Sequence, residues 1–126
     1  MLTVALVTLL ILLQYMYFTM RVGMARGKEI KAPAMSGDEI FERRLRVQLN
    51  TLEQLMVTLP AMWVCAHFYR ADAAAILGTA FIVGRFIYSS SYVKDPAKRA
   101  PGFVIGFLAN VLLVLSSLWG VISKLI

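Results

Sequence analysis

Glu42, Arg46, Asn50 and Glu53 recur at intervals of four, four and three residues. On an α-helix advancing about 100° per residue they lie within roughly 80° of one another, a polar stripe about three turns long. Arg43 and Gln54 flank it, and further along the chain Arg85, Tyr88 and Tyr92 share a second helical face at i, i+3 and i+7. Arginines grip carboxylates or phosphates with paired donors, and a glutamate offers an acceptor to an ammonium group. Together with an asparagine amide and tyrosine hydroxyls, such a set suits a zwitterionic molecule carrying more carboxylates than amines. The plainer alternative is that Glu53 and Arg85 neutralise each other and pin two helices together. That alternative leaves Arg46, Gln48, Asn50 and both tyrosines without a reason.

The elements that must position these groups are membrane helices. Of the 126 residues 60% are hydrophobic, and a mean hydropathy of +0.73 is too apolar for a soluble domain of this size. Charges are segregated: none precedes Arg21, none lies between Glu53 and Arg70, and none between Arg99 and Lys124. Four stretches are long enough, at about 18 residues or more, to cross a bilayer as helices. They are expected at residues 1–22, 41–69, 73–93 and 101–123, which makes the chain an all-α integral membrane protein, one domain over 1–126 built as a four-transmembrane-helix bundle. No internal repeat or low-complexity tract interrupts it. Ionisable groups inside such spans read as functional, because the bilayer makes them expensive. Counting nine residues from Arg85 to Lys94 puts Arg85 about 14 Å below the boundary, close to the depth of Glu53 below Arg44.

The first span lacks a basic leader and its apolar run outlasts a signal sequence, so it reads as a retained helix. The net charge of +6 follows the membrane and is no sign of nucleic acid. Arg21, Arg26, Lys28, Lys31, Arg43, Arg44 and Arg46 cluster around the first connection and Lys94, Lys98 and Arg99 around the third, against Arg70 and Lys124 opposite. The positive-inside rule puts those basic loops in the cytoplasm and both termini on the non-cytoplasmic side.

Local signals fill in the rest. Ser36 and Glu39 have capping-box spacing for the second helix, Pro60 is expected to kink it, and Trp63, Phe68 and Tyr69 approach the far interface. Asp72 reads as an N-cap for the third helix, and Asp95-Pro96 and Ala100-Pro101 as helix starts. Gly78 and Gly84 on span three, and Gly106, Asn110, Ser116, Ser117 and Gly120 on span four, read as helix contacts in lipid. Cys65 reads as a small packed side chain, and His67 as an interfacial histidine with no second histidine to support a metal site.

The run Glu42-Arg43-Arg44-Leu45-Arg46-Val47-Gln48-Leu49-Asn50-Thr51-Leu52-Glu53-Gln54 resembles the E-R-x-x-R-x-Q-x-N-x-x-E signature of the MAPEG family, the membrane-associated proteins in eicosanoid and glutathione metabolism. The likeness continues through Leu59-Pro60-Ala61-Met62-Trp63 and resumes at Gly84-Arg85-Phe86-Ile87-Tyr88 and Tyr92. It implies a homotrimer of four-helix subunits in membrane lipid, with glutathione as cosubstrate held at the cytoplasmic side of the interfaces between neighbours. By motif, Arg46, Gln48, Asn50 and Glu53 would hold the peptide, Arg85, Tyr88 and Tyr92 would complete the pocket, and Arg26 would reach across the interface. A free thiol, with pKa near 8.5, is mostly protonated at neutral pH, so a nearby guanidinium is needed to favour thiolate.

Arg99 resembles the thiol-activating arginine of one family branch. In other branches the activating cation follows the proline, a position taken here by Gly102 or Phe103. Gln54 stands where some eicosanoid-making members have tyrosine, and with the short loops this points to a compact bacterial-type member resembling a microsomal glutathione transferase. The implied activity is glutathione transferase or peroxidase chemistry on a lipophilic electrophile, a xenobiotic or a lipid hydroperoxide, at a bacterial inner membrane with the site facing the cytoplasm. Two other readings remain open: a small four-helix multidrug or cation transporter, and a noncatalytic family member that keeps the bundle without turnover.

Overall fold

The computed structural model describes residues 1–27 and 34–126. Four α-helices follow in order, α1 (Leu2–Arg26), α2 (Glu39–Phe68), α3 (Ala71–Lys94) and α4 (Ala100–Leu125), with a single 3-10 turn (Pro96–Lys98) between the last two. A helix stands over each expected span, with its ends displaced by one to four residues. Lys28 and Lys31, assigned above to the first connection, lie outside the described residues.

Three helices, α1, α3 and α4, are long and apolar enough on their own to cross a membrane. Charge concentrated in its first turns dilutes the apolar character of α2, and the packing settles its path. Arg43, near the start of α2, donates to the carbonyls of Val93 and Lys94 at 2.9 and 3.2 Å, so α2 begins where α3 ends. At the other end Lys124 donates to the Phe68 carbonyl at 3.2 Å, so α2 finishes beside the end of α4. A helix joining those two levels must run the full height of the bundle. The end of α4 therefore shares one side with the α2–α3 turn, and Trp63 donates to the Thr8 hydroxyl at 3.1 Å, which sets the first half of α1 beside the last third of α2.

The core runs through the middle of the bundle: Val4, Val7, Ile11, Leu55, Met62, Cys65, Phe81 and Leu113. A smaller cluster of Phe18, Val47 and Tyr88 sits toward the Lys94 end. Outward faces stay apolar, with Met56, Ile76 and Trp119 all more than three-fifths exposed, the pattern of a surface solvated by lipid or by other subunits. Glycines set the closest crossings. A Cβ on Gly84 would stand 2.8 Å from the Gly106 nitrogen, and one on Gly78 would meet Val7 and Met62. Polar residues of α4 serve as helix glue, as expected. Ser117 donates to the Ala61 carbonyl, and Asn110 both donates to Gln54 (2.9 Å) and accepts from Thr58 (2.6 Å).

Helix starts depart from expectation at two places. Asp38, not Ser36, caps α2: its carboxylate accepts from the Phe41 N–H at 2.9 Å, because the helix begins at Glu39 and only Asp38 stands one residue before it. Glu39 is thereby free to pair with Arg43. At α3 the N-cap is Arg70, and Asp72 lies inside the first turn, where it takes two bonds from the Arg70 guanidinium and one from the Ala73 N–H. Asp95 does cap, but it caps the 3-10 turn, accepting from Ala97. Helix α2 continues as α-helix through Pro60. Cys65 is buried beside Ser116, and His67 is exposed between Trp63 and Phe68 at the far end.

Candidate functional site

The two polar stripes meet at the Lys94 end of the bundle, where the start of α4 passes between them. A cleft of about 360 Å³ is lined by Asn50 of α2, Tyr88 of α3, and Arg99, Ala100 and Phe103 at the start of α4. Its shape depends on Gly102. A Cβ there would stand 2.2 Å from the Tyr88 nitrogen, so α4 presses its backbone against α3 at the residue that carries the tyrosine. Gly102 therefore has no room for a side chain, whereas the next residue, Phe103, lines the cleft.

The carboxamide oxygen of Asn50 is buried and has no hydrogen-bond donor among the described residues. Leaving such an acceptor unmet costs about 1–3 kcal/mol, so a donor is expected to fill it. Arg46, one turn earlier on the same face, and Glu53, one turn later, are both exposed. Among the described residues the ion pairs are Arg43 with Glu39 and Arg70 with Asp72, so Arg46, Glu53 and Arg99 form no ion pair there, and Arg99 donates to the Pro96 carbonyl at 3.2 Å. Tyr92 stacks on Tyr88 with ring centroids 5.6 Å apart and planes tilted by 21°.

Arg85 is deeply buried and does not line the cleft. Its Nε and Nη2 donate to the Thr51 hydroxyl at 3.2 and 2.8 Å, and its guanidinium carbon lies 4.2 Å from the centre of the Tyr88 ring. It forms no ion pair with Glu53, so mutual neutralisation of that pair is set aside. A hydroxyl acceptor and an aromatic face stabilise the buried cation, the latter by about 2 kcal/mol when desolvated. Within this chain Arg85 holds Tyr88 from beneath.

Gln48 also departs from the group. It lies about 160° around the helix from Asn50, and its amide donates to Thr19 at 3.1 Å and to the Tyr15 hydroxyl at 3.4 Å, both on α1. Arg26 spans the end of α1 and the start of α2, donating to the Ala34 carbonyl at 2.8 Å with its guanidinium 4.6 Å from the Phe41 ring centre. The structure thus brings Asn50, Tyr88 and Arg99 together with Arg46, Glu53 and Tyr92 alongside, and puts Arg26 and Gln48 on a different face. Thr51, Ala100 and Phe103 were not anticipated. Thr51 had one available signal, a hydroxyl between Asn50 and Glu53 in the polar part of the second span.

From the cleft an apolar groove continues along α2 and α4. Its first part, about 340 Å³, is lined by Gln54, Val57, Phe107, Asn110 and Val114 among others, and the next, about 370 Å³, shares Val57 and Val114 with it and extends to Pro60, Val64 and Leu118. Phe103 and Phe107 stack at 6.0 Å and join cleft to groove. Gln54, bonded to Asn110, forms part of this wall.

The sequence model described as the MAPEG family matches residues 4–119. The chain belongs to the MAPEG family. It is accordingly an integral membrane protein, and its four-helix bundle is a MAPEG bundle. Among its relatives, an uncharacterized protein of Synechocystis is 41% identical over 122 residues, covering 96% of this chain and 89% of that one. Mouse microsomal glutathione S-transferase 2 is 36% identical over 121 residues, covering 95% and 82%. Rat leukotriene C4 synthase is 34% identical over 96 residues, covering 75% and 64%. With these relatives, a glutathione-related function in the membrane is the frame in which the site is read.

Proposed function

We propose that this MAPEG member is a glutathione-dependent transferase or peroxidase acting on lipophilic electrophiles, with glutathione in the cleft beside Asn50, Tyr88 and Arg99. The observation that carries the reading is the buried Asn50 oxygen, without a donor among the described residues, in a cleft lined by Arg99 and flanked by Arg46, neither of which forms an ion pair among those residues. Glutathione has two carboxylates and one ammonium. Arg46 suits the carboxylates, Glu53 suits the ammonium, and Asn50 accepts from a peptide N–H. Tyr88 and Tyr92 supply hydroxyls and aromatic walls, and Arg85 acts as a positioning residue through Tyr88.

Arg99 stabilises the thiolate. In the transferase reaction that sulfur attacks the electrophilic carbon, the C–S bond forms, and the bond to the leaving group breaks with its electron pair. With a hydroperoxide the same sulfur attacks the terminal oxygen, an S–O bond forms as the O–O bond breaks, the departing alkoxide takes a proton to leave as an alcohol, and a second glutathione reduces the resulting sulfenic acid to the disulfide with release of water. The electrophile lies in the α2–α4 groove, which is open to lipid and leads to the cleft.

The working unit is a homotrimer. Arg26 and Gln48 face away from the cleft of their own chain, so in this reading they serve the cleft of a neighbour. The basic residues around the first and third connections set that end of the bundle in the cytoplasm of a bacterial cell, with both termini across the inner membrane. Family membership weighs against a small cation transporter, and nothing in the cleft favours a noncatalytic member. The test is glutathione binding by calorimetry and conjugation to an aryl halide by the purified protein. Arg46→Ala and Glu53→Ala should each weaken binding by about tenfold or more, as expected for lost charge-assisted hydrogen bonds. Absence of binding at millimolar glutathione, with both variants indistinguishable from the parent, would refute the proposal.

A further inference from the structure

A second cleft, of about 250 Å³, opens between α1, α2 and α3 and shares no lining residue with the first. Helix α3 stands between them, since Phe86 and Tyr88 point about 160° apart around its axis. Each of the three helices contributes a cation to it, Arg21, Arg44 and Lys94, and among the described residues no acidic side chain lines it. Arg44 donates from Nη1 to the Arg21 carbonyl at 3.2 Å, while its Nε is buried without an acceptor among the described residues. Cations gathered around one space repel each other until an anion enters. Hydroxyls of Ser89 and Ser90 add donors on the α3 side. A lining without an acidic acceptor for an ammonium does not suit glutathione.

Below the cations the cleft turns aromatic. Phe86 meets Tyr17 at 6.3 Å and Phe18 at 6.0 Å between ring centres, and both Phe86 and Tyr17 are more than two-fifths exposed. Leu13 and Leu10 precede Tyr17 at helical intervals, Val83 precedes Phe86, and all are exposed. From Arg21 to Leu10 the helix covers about 16 Å, close to one leaflet of a hydrocarbon core about 30 Å thick. A cationic head above an apolar furrow of one leaflet's depth matches an amphiphile and exceeds what a free anion needs.

We propose that this cleft between α1 and α3 binds the phosphate headgroup of an anionic membrane phospholipid, with an acyl chain laid along the furrow. The site is independent of the glutathione reading.

The test is native mass spectrometry of the protein released from nanodiscs containing equal phosphatidylglycerol and phosphatidylcholine. Retained phosphatidylglycerol is expected in the parent, and the preference should fall by about thirtyfold in Arg21→Gln/Arg44→Gln, about fivefold for each cation lost. Ser90→Glu, an exposed change that sets a carboxylate in the cleft without removing packing, should abolish the preference, while Arg21→Lys/Arg44→Lys should keep it. Glutathione affinity should stay unchanged in all three. No preference in the parent, or a preference untouched by Ser90→Glu, overturns the proposal. Displacement of the retained lipid by millimolar inorganic phosphate also overturns it, because the ligand would then be a soluble phosphate.

Discussion

Gly102→Ala joins packing to function most directly. One methyl group added there would lie 2.2 Å from the Tyr88 nitrogen, 2.6 Å from its Cα and 2.8 Å from the Ile87 carbonyl carbon, all backbone atoms that cannot swing aside. To reach the 3.4 Å at which ordinary contact begins, starting from 2.2 Å, α3 and α4 must part by about 1.2 Å. Overpacking of this kind costs about 1–3 kcal/mol. The displacement falls on Tyr88 and on the cleft wall made by Ala100 and Phe103. Misplacement by about 1 Å can cost about 100-fold in rate. The expected result is a lowered thermal midpoint in detergent and a fall in glutathione conjugation of tenfold or more, about 1.4 kcal/mol per tenfold. Gly23→Ala is the control: nothing lies within 4 Å of its Cβ position, and a helical alanine should be neutral or stabilising by about 0.5–1 kcal/mol. If Gly102→Ala matches the parent in both midpoint and rate, the α3–α4 contact does not shape the site and the reasoning fails.

Arg99→Ala should leave glutathione bound but shift the thiol toward its free pKa near 8.5, so that ultraviolet thiolate absorbance at neutral pH drops and the inflection of the pH–rate profile moves up. An unmoved inflection would take the thiol-activating role from Arg99. Thr51→Val removes the hydroxyl that accepts from Arg85 and strands a buried guanidinium, and a loss of about 1–3 kcal/mol in unfolding free energy is expected. Thr51→Ser, which keeps the acceptor, should restore most of it. Coexpression of Gln48→Ala with Asn50→Ala tests whether one site draws on two chains. Each variant alone should be impaired, and mixed assemblies should recover part of the activity because some interfaces regain both groups. Absence of recovery would argue for sites built within single chains.

Much of the fold could be read from the chain because lipid simplifies the problem. A helix that crosses a bilayer must satisfy its backbone internally, so apolar length and the gaps between charges mark the spans. The same economy exposed the stripe Glu42, Arg46, Asn50, Glu53 and the face Arg85, Tyr88, Tyr92, since charged residues in a span have few bland uses. Helix ends were harder to read. Ser36 and Asp38 are both good caps, and only the position of the first helical residue selects Asp38; Asp72 was displaced likewise when α3 began at Ala71.

Periodicity assigns a residue to a face of its own helix, and that is as far as local pattern reaches. By itself the amino-acid order determined the four-helix membrane bundle, the polar turns at one end and the MAPEG signature. Tertiary structure alone decided that Arg85 lies under Tyr88 on Thr51, that Gln48 turns toward Tyr15 and Thr19, and that Gly102 presses α4 onto α3 to wall the cleft. The physical reason is that these are contacts between helices far apart in the chain. They depend on which faces meet and at what depth, and small residues on a neighbouring helix set both.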